Sequence, residues 1–143
     1  MQLRAISYQL GAGRQSERFS DVYESALAGE GSEWVQKALV DITRLLRFIE
    51  DNIDAPPHWV CTSHLNCIFY REDMREYIHE APGQGVSITI EFTGFEDNYR
   101  VGLPIVFDGT HGSIKIFSGD LQSTAKIIGE ILNEQISFSI IRK

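Results

Sequence analysis

The alternation between Val86 and Ser118 constrains this chain more than any other stretch. Val86, Ile88, Ile90 and Phe92 are separated by Ser87, Thr89 and Glu91. Successive side chains of a strand point to opposite faces, so a period of two places an apolar set on one side and a polar set on the other. Glu96-Asp97-Asn98 reads as a turn, after which Tyr99, Val101, Leu103, Ile105 and Phe107 resume the pattern. Asp108-Gly-Thr-His-Gly112 reads as a second turn, and Ile114 and Ile116 flank Lys115 beyond it. Three strands joined by short turns predict an antiparallel meander with one buried face. Pro104 has no N–H to give to a ladder, which predicts a sheet edge or a bulge at that position.

Around this meander the pattern changes to helical spacing. Ser16 to Ala28 carries Phe19, Val22, Tyr23, Ala26 and Leu27 on one face and is followed by Gly29-Glu-Gly31. Ser32 is placed to cap a longer helix over Glu33 to Asn52. Its stripe is Val35, Leu39, Ile42, Leu46, Ile49 and Ile53, widened by Trp34, Ala38 and Leu45, with Lys37, Asp41, Arg44 and Glu50 expected toward solvent. Asp54-Ala-Pro-Pro57 stops it. Asp120 predicts the cap of a last helix marked by Leu121, Ala125, Ile128 and Leu132, with Gly129 allowing a close approach to the sheet. Strands are further expected near Leu3 to Leu10, over Trp59 to Tyr70 as one strand or a broken pair, and over Ile136 to Ile140. Arg71 to Glu80 reads as a short helix or a solvated loop. The element order predicts one α+β domain over residues 1–143, with the helices against one face of a mostly antiparallel sheet. Strand order is not legible.

The chain of 143 residues carries a net charge of -7. That balance argues against binding nucleic acid or docking on an anionic membrane. No apolar run approaches the roughly 20 residues that span a bilayer, and the first residues lack a signal-peptide pattern. The acid is uneven. Nine carboxylates between Asp51 and Asp97 face only Arg71 and Arg75, while the rest of the chain has eleven acids and eleven bases. Cys61 and Cys67 would lie about 20 Å apart on a continuous strand, beyond disulfide reach. Free thiols suit a cytoplasmic setting.

Three constellations bear on chemistry. His58-x-x-Cys61-x-x-His64-x-x-Cys67 has the residue types of a zinc site. On one strand, however, the histidines and cysteines face opposite ways, with Trp59, Cys61, Cys67 and Phe69 on the core side, so neither a metal nor another cofactor is expected. The same geometry gives neither cysteine a histidine partner for nucleophilic work. His111 near Asp108 or Asp120 could form an acid–base pair, although turn chemistry alone accounts for these residues. Glu72, Asp73, Glu76 and Glu80, with Tyr70 and Tyr77 beside them, compose an acidic surface with aromatic contact residues.

No catalytic pattern stands out, so the leading expectation is a non-enzymatic module that binds a protein with a basic surface. An inhibitor or immunity-type protein against a basic toxin is one concrete form. The alternative is a small-molecule-binding domain or small enzyme, with His64, Asp108, His111 and Asp120 as the polar groups of a pocket between sheet and helices. A third is a subunit of a homo-oligomeric assembly.

Overall fold

A computed structural model of the chain describes residues 1–5, 18–27, 29, 31–63, 66–72, 86–95, 97–107 and 110–133. The elements, in order, are β1 (Leu3–Ala5), α1 (Phe19–Leu27), α2 (Glu33–Asn52), β2 (His58–Ser63), β3 (Asn66–Tyr70), β4 (Val86–Phe92), β5 (Tyr99–Phe107), β6 (Thr110–Gly119) and α3 (Leu121–Leu132). The six strands form one sheet in sequence order. β1 pairs parallel to β2 through the crossover that contains α1 and α2, and every later pairing is antiparallel. The chain is therefore a single α+β domain built on a mostly antiparallel sheet.

Binary patterning explains the layering. Leu3, Val60, Cys67, Phe69, Ile88, Ile90, Tyr99, Val101 and Leu103 point to one face of the sheet. There they pack on Phe19 and Tyr23 of α1, Leu39, Ile42, Leu45, Leu46 and Ile49 of α2, and Ala125, Ile128, Ile131 and Leu132 of α3. The opposite face carries a smaller cluster of Trp59, Cys61, Ile68, Tyr70 and Val86. Arg4 lies over the Trp59 ring, 5.4 Å from its centroid.

Helix ends follow the capping signals. The Ser32 hydroxyl accepts from Val35 N at 3.4 Å, and Asp120 Oδ1 accepts from Ser123 N at 2.9 Å. Gly129 makes its close approach to Ile53, the residue that follows α2, rather than to the sheet, since a Cβ there would lie 3.3 Å from two Ile53 methyl groups. Trp34, assigned to the apolar stripe, is 52 % exposed. Asp41 and Glu50, expected toward solvent, are buried side chains instead. Glu50 has a local reason. It accepts from Phe19 N at 3.1 Å and from the Ser20 hydroxyl, supplying from α2 the cap that α1 lacks in its own sequence.

Residues 58–70 are the broken pair rather than one strand. Cys61 lies opposite Ile68, and Thr62 opposite Cys67. Partners across this hairpin join an odd-numbered to an even-numbered residue, so the core-facing parity inverts between its arms. β2 sends His58 and Val60 to the helices, whereas β3 sends Cys67 and Phe69 there. Trp59 and Cys61 consequently lie on the far face, and the two cysteines do not share a side. Both are buried, and neither is in a disulfide.

The turn expected over Asp108–Gly112 is shorter than its composition suggests, because Thr110, His111 and Gly112 already pair with Phe107, Val106 and Ile105. Pro104 is paired with Ser113 of β6, while the ladder to β4 ends two residues earlier at Gly102. A missing N–H is tolerated where one side of the strand is unpaired. A register shift between Val101 and Gly102 leaves Ile116 as the extra residue of a bulge in β6. The strand expected over Ile136 to Ile140, and the charged segment from Asp73 to Glu80, lie outside the described residues.

Candidate functional site

A cleft of about 440 Å³ lies between α2 and the connection from β4 to β5. Glu33, Lys37, Val40 and Arg44 recur at helical spacing along the outer face of α2 and form one wall with Asp41, and Gly94 contributes from the turn. Val40 is 59 % exposed and Phe95, next to Gly94, is 70 % exposed. Arg44 also lines a second depression with Asp97, Asp120, Leu121 and Gln122, so the two form one continuous strip from α2 to the start of α3.

A buried polar node fixes the strip in place. Asp41 is 4 % exposed. Its Oδ1 accepts from the Tyr99 hydroxyl at 2.9 Å and from Asp97 N at 3.4 Å, and its backbone carbonyl accepts from the same hydroxyl at 2.8 Å. Arg44 places its guanidinium 3.6 Å from that Oδ1. Asp97 holds a left-handed backbone, with φ 52°, and its Oδ1 accepts from Leu121 N at 3.0 Å. Aspartate tolerates this conformation better than most residues. One helix, one turn, one strand and the start of another helix thus meet at Asp41 and Asp97. Burial, then the bond to Asp41, raises the Tyr99 pKa, so its phenol stays a donor. Asp41 Oδ2 is buried and has no hydrogen-bond partner among the described residues.

The residues anticipated from sequence fall elsewhere or outside the description. Tyr70 is a buried residue of the far-face cluster, while Glu72 is exposed just beyond β3. Asp73, Glu76, Tyr77, Glu80, His64 and Asp108 lie outside the described residues. His111 is placed in β6 opposite Val106 rather than in a turn. Asp120 borders the strip, where the Ser123 amide and then its hydroxyl hold the carboxyl below its ordinary range. The acidic segment is split among elements. Asp51 pairs with Arg18 at the end of α2, Glu91 pairs with Arg100 between β4 and β5, and Asp97 sits in the turn.

The described members of the histidine–cysteine series, His58, Cys61 and Cys67, do not converge. His58 faces the helices with Nδ1 2.9 Å from Pro56 O and Nε2 3.2 Å from Ser87 Oγ. Cys61 and Cys67 project from opposite faces. Burial raises both thiol pKa values, and Cys67 is pushed up to about 12, with Cys61 adding to the effect. Such thiols are poor nucleophiles and poor metal ligands. Among the described residues no group of three or more histidine, cysteine or acidic side chains is placed to hold a metal ion, and no helix is long and apolar enough to cross a membrane.

Sequence reasoning passed over Val40 and Phe95. The signal was present in both. Val40 interrupts a polar face between Lys37 and Arg44, and Phe95 is an aromatic residue inside a Gly94-Phe-Glu-Asp97 turn. No protein-family model matches the chain, and neither a curated protein nor a solved structure shows significant similarity to it.

Proposed function

We propose that this chain is a non-enzymatic protein-binding module whose docking surface is the strip formed by α2, the β4–β5 turn and the start of α3. The observation that carries the reading is the pairing of two exposed apolar side chains, Val40 and Phe95, with a charged rim beside a cleft. Interfaces take their energy from a few apolar or aromatic anchors surrounded by polar groups. The rim gives the partner its charge. The exposed Glu33, Asp97 and Asp120 outnumber Lys37 and Arg44 along the strip, with Asp41 buried beneath them, and the whole chain is acidic. A partner with a basic surface around an apolar side chain is complementary to both features. Neutralisation of a basic toxin is one activity of this kind. Two cysteines outside any disulfide are compatible with action in a reducing compartment such as the cytoplasm.

The test compares proteins captured from the host lysate by the tagged wild-type chain and by the Val40→Ser/Phe95→Ala variant, at low and high salt. Both positions are exposed, so the variant keeps its core. The expected result is one basic protein at stoichiometric level, weakened by salt and lost with the variant. Equal capture by both chains would remove this strip as the docking surface.

A further inference from the structure

We infer that the cleft receives a guanidinium group, an arginine side chain of the partner, which donates to Oδ2 of Asp41. The inference rests on the partner reading above and adds the chemistry at its centre. A buried carboxylate oxygen without a donor is costly to the fold. Asp41 holds one such oxygen beside the cleft, while its other oxygen is engaged by Tyr99 and Asp97. That buried atom, in a side chain that lines the cleft, therefore lacks a partner among the described residues.

The surroundings favour guanidinium over ammonium. Val40 lines the cleft and offers apolar surface to a planar, weakly hydrated group and to its alkyl stem. The fork of donors matches a carboxylate. Charge also permits it, because a third cation beside Lys37 and Arg44 still leaves the four carboxylates of the strip in excess.

Arg44 is the group that must yield. Its side chain is 49 % exposed and stands 3.6 Å from Asp41 Oδ1. It lines both depressions, and Asp97 and Asp120 lie in the second one. On arrival of the incoming guanidinium, Arg44 turns toward those two carboxylates, so that no cation is left without an opposite charge.

The probe is n-butylguanidinium, titrated into the full chain with carbon-13 in its carboxylates, with n-butylurea as the uncharged comparator. The Asp41 carboxyl resonance is expected to shift saturably with butylguanidinium and not with butylurea. Asp41→Asn keeps an acceptor for Tyr99 but abolishes the charge, and a backbone-amide titration of that variant should lose the saturable response. Should Asp41→Asn fail to fold, Arg44→Gln serves instead. It removes a competing guanidinium from an exposed position and should tighten binding roughly two- to fivefold. Absence of saturation in the wild type, an equal response to butylurea, or weaker binding by Arg44→Gln would each overturn the inference and leave the oxygen to water. The partner reading fails separately, through capture that ignores Val40 and Phe95. Guanidinium binding without a partner would keep the site and remove the protein interface.

Discussion

The Tyr99 hydroxyl reaches both the side chain and the backbone carbonyl of Asp41, at 2.9 and 2.8 Å, across 58 positions of sequence. It joins the middle of α2 to the start of β5 beneath the candidate docking strip. Tyr99→Phe removes the donor and leaves the carboxylate more poorly satisfied. Hydrogen bonds to charged groups contribute about 1.5–3 kcal/mol, and a loss of that size is expected in urea unfolding. Asp41→Asn should cost less, because Oδ1 is retained. The double variant should fall short of the sum by about 1 kcal/mol. Strict additivity would show that the two side chains do not interact in solution.

A second expectation concerns pH. Burial lowers the His58 pKa from its ordinary 6.5, opposed by the Pro56 carbonyl and reinforced by the charge of Arg71. The neutral ring donates from Nδ1 to Pro56 and accepts at Nε2 from Ser87. Below about pH 6.5 the unfolded chain binds a proton that the folded chain refuses, so stability falls as pH falls, with a limiting slope of about 1.4 kcal/mol per unit. Above that range His58 contributes no slope. Unfolding free energies measured between pH 5 and pH 7.5, a window set by the histidine range, should flatten in His58→Gln, even though that variant is less stable throughout. An unchanged slope would assign the effect to another group.

Glu50 gives a third expectation. It caps α1 from α2, through Phe19 N and the Ser20 hydroxyl, and Arg18 lies 3.6 Å from the same carboxylate. Glu50→Ala should destabilise the protein by about 1–3 kcal/mol, the range for a lost cap and an unsatisfied buried amide. Hydrogen exchange would localise the loss. Amides at the start of α1 should lose more protection than those in the middle of α2, and an equal loss in both helices would mean that Glu50 holds the whole domain rather than one helix end.

These cases show what was legible in the sequence. The span of α2, from Glu33 to Asn52, and the strands β4 and β5 follow from local periodicity and caps, and they lie where the pattern put them. The α+β class followed from their order. The inverted parity of the 58–70 hairpin did not, because no glycine or proline marks the change between Ser63 and Asn66. The burial of Asp41 and Glu50 depends on Tyr99 and Phe19, which lie 58 and 31 positions away. No window along one helix contains that information. For the same reason nothing in the sequence around Val40 shows that the turn containing Gly94 lies beside α2.

The last expectation tests the packing of the sheet face opposite the helices. Gly102 of β5 lies opposite Thr89 of β4. A Cβ on Gly102 would stand 2.6 Å from Thr89 Oγ1 and 3.5 Å from the carbonyl of Ile114. The first distance is a clash, whereas the second is ordinary contact. Gly102→Ala should therefore cost about 1–3 kcal/mol, as overpacking does, although alanine suits a strand better than glycine. The obstruction is one hydroxyl that has no hydrogen-bond partner among the described residues, so Thr89→Ala should remove it at little cost. The Thr89→Ala/Gly102→Ala double variant is expected to recover most of the loss in thermal unfolding. If Gly102→Ala remains equally damaging in the Thr89→Ala background, the constraint lies in the backbone of β5 at the Val101–Gly102 register shift, and not in the pair of side chains.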